Sequence, residues 1–378
     1  MTSVFWLCLS LVAFVYVGYP LLLASGFLGR RRPIHKHAHT PLLTIMVPAH
    51  NEEKNIRSKI DNLRSQDYPA DKLEILIGND GSSDGTVEIV SRFTGPMLRL
   101  VNSWSQVGKS EIQNRMVAES HGDILVFTDA DCILPPDALR VLVEAFSDQN
   151  VGLVTNCATM VNENETAIAQ SEGLYWKYER WLRREESDRA LLAMASGSLF
   201  AMRRRLWRRL GPDVGDDFVL PLRVARAGFR NVLETRVEAS TRLSQNQPRS
   251  MFRMKARIIS KDLRGLLRNP ACLNPFQVGG VAVSLWAHKL LRWAIPYFLI
   301  GLLLSNIFLL NHNIYYGIFF IAQCLFYAIS TFGLVADGKR LQFPVSTAAS
   351  FCLVNAAALF GTLHCLSWQP AGQWKTVR

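Results

Sequence analysis

Residues 124–132 read Ile124-Leu125-Val126-Phe127-Thr128-Asp129-Ala130-Asp131-Cys132. Four consecutive apolar residues, too short a run for a helix, predict a buried strand. The strand ends on two carboxylates one residue apart. Pro135 and Pro136 then interrupt the chain, and Asp137-Ala138-Leu139 opens an amphipathic helix. Ligands in open α/β sheets bind at the carboxyl ends of strands, so Asp129 and Asp131 are expected to project into such a site. Two neighbouring carboxylates repel. A divalent cation relieves that repulsion, and hard oxygen ligands suit Mg2+ or Mn2+. A D-x-D pair by itself is a common accident of composition; its place after a buried strand is what gives it weight.

The same unit of strand, polar loop and helix recurs upstream. Leu42–Val47 predicts a first strand, followed by Pro48-Ala49-His50-Asn51-Glu52-Glu53. Asn51 is a suitable N-cap, the acidic pair suits a first helical turn, and Ile56, Ile60 and Leu63 mark one helical face. Leu73–Ile77 predicts a second strand. It runs into Gly78-Asn79-Asp80-Gly81-Ser82-Ser83-Asp84-Gly85-Thr86 and then a helix over Val87–Phe93. Small residues there let a ligand approach the backbone, and Asp80 at a strand end suits a base or ribose contact; a plain surface loop is the alternative. Leu98–Val101 is a third strand, and Gly108-Lys109-Ser110 opens a helix through Ser120. A Lys there can meet a phosphate, although the upstream glycine of a Walker motif is missing. This alternation over residues 42–146 predicts a parallel, doubly wound sheet.

Downstream, Val151–Asn156 predicts a strand and residues 165–187 a long helix. Ala195-Ser196-Gly197-Ser198 is a small-residue turn before a strand over Leu199–Met202. Arg203-Arg204-Arg205 with Arg208-Arg209 predicts a basic helix able to lie on lipid. Gly215-Asp216-Asp217 opens a helix through Ala227, where two acids also complement the helix dipole. A strongly basic helix over residues 249–268 carries Arg257, with Met251, Met254 and Ile258 spaced to pack one face down.

The ends of the chain are apolar. Residues 3–28 carry no charge, and residues 293–336 and 343–368 are similar. A bilayer core needs about 20 such residues. Arg30-Arg31-Arg32 follows the first run directly, which by the positive-inside rule puts the following domain in the cytoplasm, as does a Lys339-Arg340 loop. Ala24-Ser25-Gly26 resembles a signal-peptide cleavage site, but no basic segment precedes the run, so an uncleaved anchor is expected. Four units follow: an anchor over 1–29, a soluble domain over 40–270, an interfacial amphipathic helix over 276–292, and about three spans over 293–368. Residues 33–41, with His35, His37 and His39, read as a solvated linker. Lys plus Arg outnumber Asp plus Glu by 42 to 31, for a net charge of +11. Beside membrane spans, that charge points to lipid headgroups and substrate phosphates rather than nucleic acid. The seven Cys are scattered without a C-x-x-C, which argues against a disulfide framework or zinc site.

The motifs become specific in combination. Val47-Pro48-Ala49-His50-Asn51-Glu52, Asn79-Asp80-Gly81-Ser82-Ser83-Asp84-Gly85-Thr86, Asp129-Ala130-Asp131 and Gly215-Asp216-Asp217 occur in that order. Together they resemble the family 2 glycosyltransferases with a GT-A fold, most of all the membrane-bound branch that includes hyaluronan, cellulose and poly-N-acetylglucosamine synthases. The resemblance covers roughly residues 42–270. It implies that Pro48, Ala49, Glu52 and Asp80 line the nucleotide base and ribose, and that Lys109 approaches the nucleotide or its phosphates. Asp129 would contact the donor ribose or sugar, and Asp131 would hold Mg2+ or Mn2+. Gly197 and Ser198 would lie near the acceptor, with Asp217 as general base beside Asp216. Arg257 would meet the diphosphate of a nucleotide-diphosphate sugar, a UDP-sugar in first expectation. The processive members carry Q-x-x-R-W, where this chain has Met254-Lys255-Ala256-Arg257-Ile258. The expected activity is therefore inverting transfer of one or few sugars to a lipid-linked or membrane-proximal hydroxyl, from the cytoplasmic side of the cell (inner) membrane. The alternatives are a processive polysaccharide synthase and a non-catalytic membrane scaffold; the second has no need of Asp131 and Asp217.

Overall fold

The computed structural model describes residues 1–157, 159–161, 167–212, 214–242, 248–336 and 344–366. The Lys339-Arg340 loop, which bears on orientation, lies outside the described residues. After the apolar helix α1 (Thr2–Ala24), the chain alternates strand and helix. The first elements are β1 (Leu43–Ala49), α2 (Ile56–Arg64), β2 (Leu73–Asp80), α3 (Thr86–Ser91), β3 (Leu98–Ser103) and α4 (Lys109–Glu119). Next come β4 (Ile124–Thr128), β5 (Cys132–Ile133), α5 (Ala138–Glu144), β6 (Val151–Asn156) and β7 (Thr159–Val161). Then follow α6 (Ala167–Asp188), β8 (Leu199–Arg203), α7 (Asp216–Arg226), β9 (Arg230–Glu234), β10 (Ser240–Arg242) and α8 (Pro248–Leu267). Three apolar helices close the described chain: α9 (Val281–Ile307), α10 (Ile314–Val335) and α11 (Val345–Leu366).

The main sheet has seven strands in the order β3-β2-β1-β4-β8-β6-β9. β3, β2, β1 and β4 are mutually parallel, β8 runs antiparallel to both neighbours, and β6 and β9 are parallel. The sheet is thus mixed but mostly parallel. The connections leave β1 toward β2 and β3, then return to its other side at β4. That reversal makes a crevice at the carboxyl ends of β1 and β4, where ligands of such sheets bind. A second small sheet pairs β5, β10 and β7.

Both sheet faces are covered, so the central strands read as near-continuous apolar runs. Side chains still alternate. Ile45, Val47, Ile75, Ile77 and Val126 pack with Ile56, Ile60 and Leu63 of α2 and with Leu139 and Leu142 of α5. Met46, Leu76, Leu125 and Phe127 face the other way, onto Ile112 and Met116 of α4 and Phe218 and Leu222 of α7. This second layer does not stop at residue 270. It continues through Ile259 and Leu266 of α8 into Leu285 and Trp293 of α9 and Ala358 of α11. The sheet, α9 and α11 share one packed core.

Several local expectations are corrected. Residues 203–209 do not form a basic helix. Arg203 ends β8 and donates to the carbonyls of Val151 (2.7 Å), Phe146 (2.8 Å) and Asp148 (3.0 Å). Arg204–Leu206 is a single tight turn. A guanidinium's five donors suit these three carbonyls, one at the start of β6 and two in the turn before it. Asn51 is not an N-cap: its φ is 56°, and α2 begins only at Ile56. Its side chain instead accepts from the Ser83 N–H at 2.8 Å. Residues 276–292 divide. Pro275–Val278 is one turn, and Val281 starts a helix that runs unbroken to Ile307. Within it His288 is buried.

A polar clasp joins the N-terminal helix to the rest. The Tyr19 hydroxyl of α1 donates to Glu186 Oε1 of α6 at 2.8 Å. Both ring nitrogens of His288 in α9 face carboxylates, Glu186 at 2.7 Å and Glu179 at 2.9 Å. Arg292 donates to the second oxygen of Glu179 at 2.8 Å. Buried charge is tolerated only when paired in this way.

Candidate active site

A cleft of about 1010 Å³ opens at the crevice between β1 and β4. Pro48, Glu52, Lys109, Asp129, Asp131, Gly197, Asp216, Asp217 and Arg257 all line it. Nine of the residues singled out from sequence motifs, drawn from six separated stretches, therefore meet at one place. Ala49, Asp80 and Ser198 do not line it. Ala49 ends the buried strand β1. Ser198 Oγ is hydrogen-bonded to Ser196 Oγ at 2.8 Å. Asp80 is wholly buried. Its Oδ1 accepts the N–H groups of Val107 at 2.7 Å and Gly108 at 2.9 Å. In this arrangement Asp80 anchors the loop that leads into α4. Gly108 has φ +92°, a conformation other residues adopt only with strain. That turn carries its N–H toward Asp80 and sets Lys109 at the start of α4.

The polar loops around the cleft are stitched to each other. His50 Nδ1 lies 2.7 Å from the Asp80 carbonyl, the Asn51 N–H donates to Ser82 Oγ at 3.0 Å, and the Glu52 N–H donates to Thr86 Oγ1 at 2.8 Å. The small polar residues of 79–86 thus hold Pro48 and Glu52 at the rim.

Lys109 is the electrostatic centre. Its Nζ is 3.0 Å from Asp129 Oδ1 and 3.5 Å from Asp216 Oδ2. Burial works against its charge, but Asp129, Asp216 and Asp217 more than offset this and hold it well above the usual lysine range. The two acids of α7 then diverge. Burial opposes the Asp216 anion, but the Lys109 charge and the Gln113 amide, 2.6 Å from its Oδ2, hold its carboxyl below the usual range. Burial and the Asp216 charge push Asp217 up to about 6, against Lys109. One acid is a fixed anion and its neighbour is a basic carboxylate, a split that suits a proton acceptor. Asp217 Oδ2 faces Gly197 closely: a Cβ there would stand 3.2 Å from it. The Asp217 carbonyl accepts the Ala195 N–H at 2.8 Å, which ties the 195–198 turn to α7.

Asp131 is pushed up to about 6, by burial first and then by the Asp129 and Glu52 charges. A buried cleft carboxylate whose proton affinity is raised by acidic neighbours is a fit for a hard divalent cation. Among the described residues no three His, Cys, Asp or Glu side chains gather as a self-sufficient cage. The donor set therefore fits Mg2+ or Mn2+ completed by phosphate oxygens, the usual arrangement for Mg2+.

Four residues of the site escaped the sequence reading. Lys59 of α2 is fully buried behind the D-A-D turn. It donates to Thr128 Oγ1 at 2.8 Å and to the Cys132 carbonyl at 2.5 Å, one partner on each side of the two acids. Burial pulls its ammonium down to about 8. Gln113 bonds Asp216, Arg209 lines the cleft while paired to Glu111 at 2.8 Å, and Asp262 lines the cleft from α8. A charged residue on the apolar face of α2, beside Ile56, Ile60 and Leu63, was the one available signal for Lys59.

Known proteins resemble this chain in sequence and in fold. The model of the family described as Glycosyl transferase family 2 matches residues 44–211. An N-acetylglucosaminyltransferase of Bradyrhizobium elkanii is 32% identical over 135 residues, 34% of this chain and 73% of that protein. The probable glycosyltransferase YdaM of Bacillus subtilis (strain 168) is 28% identical over 256 residues, 60% of this chain and 58% of that protein. The chain thus spans little more than half the length of that relative. Among solved structures, the mannosyltransferase PcManGT from Pyrobaculum calidifontis, in complex with GDP-Man and Mn2+, superposes with a TM-score of 0.72. It is 24% identical, and the match covers 96% of this chain and 99% of that one.

Proposed function

The chain belongs to glycosyl transferase family 2 and has the GT-A fold, and from that premise we propose that it is an inverting, metal-dependent transferase. It moves a sugar from a nucleotide-diphosphate sugar to the hydroxyl of a lipid-linked or membrane-proximal acceptor. The observation that carries this reading is the convergence of Lys109, Asp129, Asp131, Asp217 and Arg257 on one cleft.

The roles follow from position. Pro48 and Glu52 at the rim receive the nucleoside. Asp129 meets the donor sugar or ribose, and Asp131 holds the metal. A bound divalent ion supplies Lewis-acid stabilisation of charge on the departing diphosphate. Lys109 and Arg257 add cationic charge to the same cleft. Asp217 accepts the proton of the acceptor hydroxyl as its oxygen bonds to the anomeric carbon. The carbon–oxygen bond to the diphosphate breaks with its electron pair going to the leaving group. Attack from the face opposite that group inverts the centre. Arg257 is held in the cleft by a helix packed on α11, so the acceptor is expected to arrive from the membrane side. Met254 and Ile258 stand on the cleft wall where the processive branch has Gln and Trp, which supports short or single additions. A UDP-sugar is the first donor to test.

Chelation is the experiment for this reading. Transfer by the full-length protein should stop in excess chelator and return with Mg2+ or Mn2+. Asp131→Ala should remain inactive at any metal concentration. Undiminished transfer in chelator would refute the metal role. Donor choice can be read separately, since a ligand at 100 times its Kd stabilises the folded protein by about 2.7 kcal/mol and raises its melting temperature.

Orientation is part of the same proposal. Four helices of the described chain are long and apolar enough to cross a membrane. With Arg30–Arg32 immediately after the first, the sheet lies in the cytoplasm, at the cell (inner) membrane. A reporter inserted near residue 150 should be active only if it works in the cytoplasm. Activity confined to a periplasmic reporter would overturn the orientation.

A further inference from the structure

Asp262 enters the cleft from α8, opposite the acids of α7. It is 6% exposed. A Cβ built on Gly215 would stand 2.5 Å from Asp262 Oδ1 and 3.2 Å from Asp217 Oδ1. The bare Cα of Gly215 is therefore what lets two carboxyl groups, from two different helices, face the same wall of the cleft.

Two carboxyl groups sharing a buried site do not both ionise. Their surroundings decide which keeps the proton. Asp217 lies in the first turn of α7, where the helix dipole favours an anion. Lys109 also reaches it. Asp262 lies in the interior of α8, away from that helix's N-terminus. Among the described residues it has no ion-pair partner, whereas Lys109 is committed to Asp129 and Asp216. The charged groups that face Asp262 are Asp217 and Asp216 on α7, Lys289 on α9 and Lys261 on its own helix. Burial, and then Asp217, hold its carboxyl well above the usual range, against Lys289 and Lys261.

We propose that Asp262 is a positioning residue for Asp217: it stays protonated at neutral pH and turns its O–H toward the Asp217 carboxylate. This rests on Asp217 being the base of the proposed transfer. The pair then carries one proton and one negative charge. The hydrogen bond from Asp262 engages one oxygen of Asp217 and leaves the other for the acceptor hydroxyl. When Asp217 takes the acceptor proton, the pair holds two protons and no charge, so no anion is left stranded in the cleft.

The test uses the full-length protein with nucleotide-sugar donor and Mn2+. Asp262→Ala should lower kcat at pH 7 by about tenfold or more, with donor KM unchanged, and Asp262→Asn, whose amide still donates, should recover most of that loss. Gly215→Ala should act like Asp262→Ala. The φ at Gly215 is −75°, which alanine adopts without strain, so its methyl would stand between the two carboxyl groups. The proton itself is read by infrared difference spectroscopy on protein labelled at aspartate. Wild type at neutral pH should show the carbonyl stretch of a protonated acid, and Asp262→Asn should lack it. Asp262→Ala with wild-type kcat, Asp262→Asn as impaired as Asp262→Ala, or the absence of the acid band would each overturn the proposal. A wild-type protein that shows the band yet transfers no sugar would instead sink the transferase reading while leaving the protonated Asp262 established.

Discussion

Asp217→Asn should fold, bind donor and metal, and transfer sugar about 10²–10⁴ times more slowly, the usual worth of a positioned general base. The reasoning starts from shape. Asn is nearly isosteric with Asp, and Gly215 rather than Asp217 is the N-cap of α7, so the helix start survives the change. What is lost is a proton acceptor held up to about 6 by burial and by the neighbouring Asp216 charge. A base must be deprotonated to act. In the wild type kcat should therefore fall as pH is lowered through about 6 and level off above it. The mutant's residual rate should lose that limb. Donor affinity and turnover measured on one preparation separate the alternatives. Near-normal turnover would remove Asp217 from the chemistry, and weakened donor binding would move it to the nucleotide.

His288→Leu should destabilise the protein by about 3–5 kcal/mol, the usual cost of removing one partner from a buried charged network. The His288 side chain is 2% exposed, and the carboxylates it touches, Glu186 and Glu179, are 1% and 8% exposed. Leucine fills much of the volume but leaves a Glu186 oxygen facing an apolar surface. Tyr19 still donates to Glu186 and Arg292 still donates to Glu179, so the loss is partial rather than total. Because the clasp joins α1, α6 and α9, the loss should fall on the docking of the N-terminal helix. In detergent the melting temperature should drop by on the order of 10 °C. Adding Glu186→Gln removes the stranded charge and should recover part of the drop, since the two sites are in contact and their effects are not additive. An unchanged melting temperature in His288→Leu would show that the clasp contributes nothing to stability.

The parts of this protein that were legible in its sequence are those written in local pattern. Buried strands announce themselves as short apolar runs closed by polar loops, as β1, β2, β4 and β6 do. β2 runs three residues beyond its expected end, to Asp80, because parallel pairing with β3 continues to Ser103, and β1 runs two further, to Ala49, because it stays paired with Asn79 of β2. Helix starts at Lys109 and Asp216 were legible because glycine and charge mark them. The four apolar helices followed from length and hydropathy alone. The D-A-D acids, Lys109, Asp217 and Arg257 were legible as motifs, and the fold does bring them to one cleft.

What only the tertiary structure decided is which partner each polar group takes. Asp80 looked like a ligand contact, yet it turns to two backbone N–H groups, because the loop at 107–108 passes the end of β2 once β3 is paired beside it. Arg203 looked like part of a lipid-facing helix, yet three carbonyls, one at the start of β6 and two in the turn before it, claim it. Residues 276–292 looked like a separate amphipathic helix. Its His288 and Arg292 instead turn inward, onto Glu179 and Glu186 of α6. Lys59 and Asp262 carry no motif. They matter only because α2 packs under the D-A-D turn and α8 packs beside α7. Local periodicity reports how much of a residue is buried and on which face. It contains no term for contacts between residues far apart in the chain, and the electrostatics of this cleft are made of those contacts.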